Sequence, residues 1–95
     1  SLSAAEAQQL AQALKEQLLP LWEPIQDTWV LDEIEGFASR LNRLAETSAF
    51  VPLVDYAARL QSQLHNFELD QCHQTLQEFP QLLENWLALL ASAYN

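Results

Sequence analysis

Glycine occurs once in these 95 residues, cysteine once and methionine not at all. A single glycine, Gly36, leaves no Gly-rich loop to cradle a phosphate. With only four prolines beside it, the chain has little punctuation for many short strands, which favours helices. Cys72 has no partner for an internal disulfide, and a zinc cluster is out of reach. Cations are scarce too: four Lys and Arg stand against 13 Asp and Glu, a formal charge of −9. Such a chain is repelled by nucleic-acid backbones and by anionic lipid surfaces. Its acidity serves solubility or meets a basic partner surface. No apolar run approaches the ~18–20 residues of a membrane span, and nothing resembles a secretory signal, so a cytoplasmic setting is expected. A chain lacking even an initiator Met is expected to be a segment excised from a longer protein.

What is present is apolar substance: 49% of residues are apolar and 18% charged, the balance of a globular chain. The length suits one domain over 1–95, burying ~60–70% of its unfolded surface without disulfide or metal staples.

Helical periodicity organises that substance. Ser3 with Glu6 has the spacing of a capping box, and Ala7, Leu10, Ala11, Leu14 and Leu18 follow at steps of three and four. Pro20 and Pro24 must kink or interrupt this first helix. The stretch holding Leu21, Trp22, Ile25, Trp29, Val30 and Leu31 is too apolar for a free linker and reads as a bent continuation or short helix packed on the body. A second helix is expected to start near Asp32, with Glu35 at capping-box spacing, and to bury Ile34, Phe37, Ala38, Leu41, Leu44 and Ala45. The pattern breaks around Thr47 and Ser48. Pro52 suits the first turn of a third helix, whose stripe is Leu53, Ala57, Leu60 and Leu64, with Tyr56 and Phe67 at its margins. The short connection Asn66–Asp70 makes the third and fourth helices antiparallel neighbours. The last helix carries Leu69, Cys72, Leu76 and Phe79, is interrupted by Pro80, and resumes with Leu83, Trp86, Leu87 and Leu90. The expected fold is all-α, an up-and-down four-helix bundle.

Catalytic equipment is hard to find. His65 and His73 fall on different predicted helices and have no second His or Cys three or four residues away; Glu68 and Asp70 are near them, but acidic residues are scattered throughout the chain. Cys72 lies on an apolar stripe, where a small buried thiol belongs. Asp32, Glu33 and Glu35 sit at a helix start, where the macrodipole favours negative charge. Trp22, Trp29 and Trp86 could stack on bases, but the net charge argues for core packing or a protein interface. No catalytic residue, metal or cofactor is expected, and protein binding is the expected role.

The run "LVDYAARLQSQL", followed by "HNFELDQCHQTLQEFPQLLENW", resembles the later helices of histidine phosphotransfer (HPt) domains. Most of the chain, roughly Leu18 to Trp86, is similar to a helical domain near the C-terminus of bacterial hybrid sensor histidine kinases. HPt domains are four-helix bundles that relay phosphoryl groups between receiver domains, from a helix carrying Ala-His-x-Leu-Lys-Gly. The matching run here is Ala38-Ser39-Arg40-Leu41-Asn42-Arg43. Ala38 and Leu41 match as packing residues. Ser39 stands in place of the acceptor histidine, Asn42 in place of the lysine and Arg43 in place of the glycine. A hydroxyl cannot form the labile phosphoramidate that makes relay reversible.

The resemblance therefore implies a docking face without an acceptor: Glu35, Gly36, Ser39, Asn42, Arg43 and Glu46, at helical steps of three and four. Gly36 would let a partner backbone come close, or is merely tolerated in an early helical turn. The implied role is a non-catalytic HPt-like module of two-component signal transduction that docks a receiver or kinase domain. One alternative is an active phosphotransfer domain using His65 or His73 as a displaced acceptor. Another is a purely structural bundle or homodimerisation element.

Overall fold

The computed structural model describes residues 2–95, and every regular element in them is helical. The capping box forms as its spacing predicts. The Ser3 hydroxyl accepts from the Glu6 backbone N–H at 3.1 Å, and the Glu6 carboxylate accepts from the Ser3 N–H at 2.9 Å. The Ser3 backbone and side-chain bonds hold the Glu6 carboxyl below the usual carboxylate range. From this start α1 runs over Ala4–Ala13.

Pro20 acts on the helix before it. A proline there has no N–H for the carbonyl four residues back, and the chain widens into a π-helical segment, Leu14–Leu18, in which the Leu19 N–H reaches the Leu14 carbonyl. The rod continues as α2, Leu19–Trp22, and breaks at Pro24. A single turn, α3 (Ile25–Thr28), follows and ends at Trp29. The remaining helices are α4 (Leu31–Ser48), α5 (Val51–His65), α6 (Leu69–Gln77) and α7 (Phe79–Tyr94).

Three non-glycine residues take left-handed backbone at helix exits or joints: Trp29 (φ 52°), Ala49 (φ 55°) and Phe67 (φ 54°). This conformation costs an L-residue about 1–2 kcal/mol, and glycine is the usual occupant after a helix end. Ala49 is exposed at the end of α4, so Ala49→Gly should stabilise the protein by about 0.5–1 kcal/mol, after the extra unfolded-state freedom of glycine is subtracted. Thermal unfolding followed by circular dichroism should show Tm raised by about 2–6 °C. A lowered Tm would mean that the methyl group of Ala49 matters more than its φ.

The core is one continuous cluster, and aromatic rings sit at its centre. Phe79 meets Phe37 edge-on at 5.1 Å, and Trp22, Tyr56 and Trp86 surround it with centroids 6.0–6.1 Å away. Two buried donors finish the α6 end of this cluster. Pro80 cannot donate to the Leu76 carbonyl four residues back, and the Trp22 indole Nε1–H donates to that oxygen instead at 2.7 Å. One residue earlier, the Tyr56 hydroxyl donates to the Thr75 carbonyl at 2.7 Å. Burial pushes the Tyr56 hydroxyl far above its ordinary titration range, so it stays a donor. Among the described residues no buried side-chain polar atom lacks a partner.

Packing follows the stripes. α1 lies along α7, the π segment and α2 lie on α4, α4 packs on α5, and α5 on α6, in a body of 38 × 23 × 18 Å. At one end the Trp29 ring stacks on His73 with centroids 3.7 Å apart, bringing the α3–α4 turn against α6. At the other, Leu2, Phe50, Val51 and Leu89 line a hollow of about 650 Å³.

The structure corrects the sequence reading of the helices at several places. No capping box joins Asp32 and Glu35: α4 starts one residue earlier, at Leu31, its cap position Val30 makes no side-chain bond, and the Thr28 hydroxyl pairs with Glu33 at 2.6 Å. Leu69 is 55% exposed although it continues the stripe of Cys72 and Leu76, because it is the first residue of α6 and lies beyond the packed part. Leu21, Val30 and Leu31 are exposed, so the apolar stretch around α3 is anchored by Trp22 and Ile25 alone, with Trp29 half-buried. Phe67, placed at the margin of a stripe, is 75% exposed.

Candidate functional site

α4 buries Ile34, Phe37, Ala38, Leu41 and Ala45, and its helical period sets Glu35, Ser39, Asn42, Arg43 and Glu46 along one flank of that stripe. There they face the end of α5 across a groove of about 730 Å³. Gln61, Leu64 and His65 form its other wall, and Leu31 and Phe67 close one end. Five of the six residues expected on a docking face thus share one concavity. Gly36 does not line it: the residue is exposed, and a Cβ built on it would meet nothing within 4 Å. No close approach within the chain requires glycine at that position.

The groove is polar at mid-length and apolar at one end. Ser39 is exposed at its centre, beside the buried Ala38. Asn42 is half-buried because its amide nitrogen donates to the Gln61 side-chain oxygen at 2.6 Å, a cross-helix bond that ties α4 to α5 under the groove. Arg43 is exposed and forms no ion pair; the one salt bridge among the described residues joins Arg59 to Glu78 at 2.9 Å. Arg40 turns away from the groove and donates to Gln17 on the π segment at 3.2 Å. Leu31, Leu64 and Phe67 add apolar surface where the α5–α6 connection passes.

The two histidines part company. His65 sits in the groove, exposed in the last turn of α5 and across from the α4 face that carries Ser39. His73 lies outside it, stacked on Trp29. Sequence periodicity could not place His65 opposite Ser39, because that juxtaposition depends on the pairing of α4 with α5. Leu64 belonged to a buried stripe by spacing; it is half-buried and lends the groove one edge.

No group of three or more His, Cys, Asp or Glu gathers in a metal-binding arrangement among the described residues. Cys72 is buried, and burial raises its thiol above the ordinary range, so it is protonated and poorly nucleophilic near neutrality. No helix among the described residues is long and apolar enough to cross a membrane. The arrangement offers an open, mixed-polarity groove with a hydroxyl at its centre. Compared with protein-family models, with curated proteins and with solved structures, the chain matches none.

Proposed function

We propose that this chain is a non-phosphorylated, HPt-like docking module of two-component signal transduction, an up-and-down four-helix bundle that binds a receiver or kinase domain in the cytoplasm without catalysing a reaction. The observation that supports it is the α4–α5 groove centred on Ser39, at the position where the resemblance would put an acceptor histidine. Glu35, Arg43 and Glu46 give that groove charge for orientation, and Leu31, Leu64 and Phe67 give it apolar contact. The Ser39 hydroxyl has no imidazole nitrogen to carry a labile phosphoryl group. Binding without transfer is the chemistry left to Ser39.

Calorimetric titration with isolated receiver domains and kinase domains of two-component systems tests this reading. Ser39→Arg, an exposed substitution that places a bulky cation at the groove centre, should weaken binding at least about tenfold while leaving the fold intact. Unchanged affinity would move the docking face elsewhere, and a homodimer that binds neither domain would leave only a structural role. The triple change Ser39→His, Asn42→Lys and Arg43→Gly should restore phosphoryl acceptance if a receiver docks there.

One observation favours a second reading. His65 is exposed in the same groove, within the surface a receiver would cover. As an acceptor, its imidazole would take the phosphoryl group of a receiver aspartyl phosphate, forming a P–N bond as the acyl P–O bond breaks. Incubation with a phosphorylated receiver separates the two: acid-labile label at His65, lost in His65→Gln, would replace the docking module by an active relay domain.

A further inference from the structure

The end of the molecule where the α3–α4 turn meets the α5–α6 connection has a surface that folding alone does not explain. Phe67 is 75% exposed, and Leu69, Val30 and Leu31 are 55%, 46% and 43% exposed. Phe67 also has φ 54°, where an asparagine or glycine would sit with less strain. A large ring held in a strained conformation and left in water gains nothing from burial within its own chain. The two segments that carry these apolar groups also carry Asp27, Asp32, Glu33, Glu35, Glu68 and Asp70, all exposed. Among them only Glu33 receives a side-chain hydrogen bond, from Thr28. No Lys or Arg occurs between residues 16 and 39 or after Arg59, so both segments that build this end are free of those cations.

We infer that this end is a docking surface for a basic amphipathic segment of another protein, its apolar face on Phe67, Leu69, Val30 and Leu31 and its Lys or Arg side chains on the surrounding carboxylates. Charge complementarity selects the occupant. A second copy would bring its own carboxylates against these ones, and an anionic lipid surface would be repelled in the same way. A neutral apolar partner would leave the acidic rim unmatched. The inference adjoins the Ser39 groove through Leu31, Glu35 and Phe67 but does not depend on any likeness to phosphotransfer domains.

The test uses the protein with a designed helical peptide of about 18 residues, leucines spaced i, i+3, i+4, i+7 and lysines elsewhere, against a Ser/Lys peptide of the same charge. The Leu/Lys peptide should bind at least about tenfold more tightly, with affinity falling as salt rises. Amide shift changes should concentrate on residues 29–35 and 67–73. Phe67→Asn, which keeps a residue tolerant of left-handed backbone, should remove most of that tenfold advantage, whereas Val51→Ser at the opposite end should leave it within about twofold. Equal binding of the two peptides, indifference to Phe67→Asn, or shifts centred elsewhere would overturn the proposal. So would self-association abolished by Phe67→Asn, or binding to anionic vesicles through this end. Because the probe is not a receiver, failure of the Ser39 experiments leaves this outcome readable by itself.

Discussion

Phe79→Ala is expected to lower unfolding free energy by about 3–5 kcal/mol. A chain of this length holds on the order of 5–14 kcal/mol, so that loss removes about a fifth or more of the whole. The reason is position. Phe79 is fully buried, and rings from α2, α4, α5 and α7 converge on it, so removing it takes one wall from four aromatic contacts at once. Rigid rings surrounded by helix backbone collapse poorly into the space left behind. Urea unfolding followed by far-UV circular dichroism measures the effect. Phe67→Ala is the matched control: the same atoms are deleted from a ring that is 75% exposed, and stability should stay within about 0.5 kcal/mol. Similar losses at both positions would contradict the placement of the core.

The second large effect concerns a single carbonyl. Trp22→Phe should cost about 2–3 kcal/mol, because it leaves the Leu76 oxygen buried without its indole donor and also shrinks a core ring. The distinguishing measurement is a double-mutant cycle with Pro80→Ala. Alanine at position 80 restores a backbone N–H to the helix and supplies Leu76 with a second source of hydrogen bond. The cost of Trp22→Phe should then fall by about 1 kcal/mol in the Pro80→Ala background. Strict additivity would show that the indole contributes by packing and that the proline is incidental.

These two sites also mark how far the sequence could be read. The apolar stripes of α1, α4, α5 and α7 were legible because burial on one side of a helix imposes its period on the residues. Their buried members agree with the structure at Ala7, Leu10, Ile34, Phe37, Leu53, Leu60, Leu83 and Trp86. The capping box at Ser3 was legible because both partners are local. Asp32 and Glu35 had the same spacing and formed no box, since the turn at Trp29 and Val30 decides where α4 begins. The α4 side of the groove was visible for the same reason as the stripes, being their complement. The α5 side was not, because Gln61, His65 and Phe67 reach it only through the way α4 lies on α5. The donor to Leu76 was not visible: Pro80 marked only an interruption of the last helix, and packing alone brings an indole 54 residues earlier to the carbonyl that the proline leaves without an N–H.

The π-helical segment has a consequence for what may vary in this chain. Leu14, Leu18 and Trp22 are spaced by four residues twice, and at 3.6 residues per turn two such steps rotate a stripe by about 80° about the axis. A wider turn absorbs that drift, so Leu14, Leu18 and Trp22 are all buried and Trp22 still reaches Leu76. The exposed side chains of Lys15, Glu16 and Gln17 carry little of this arrangement, but their number carries all of it. Substitution there leaves the phase of the rod alone. Gain of a single residue turns Trp22 away from α6 by about 100°, whereas loss of one closes the wide turn into ordinary α-helix and keeps Leu14 and Trp22 within about 20° of one stripe, so this stretch is free in composition and closed to lengthening.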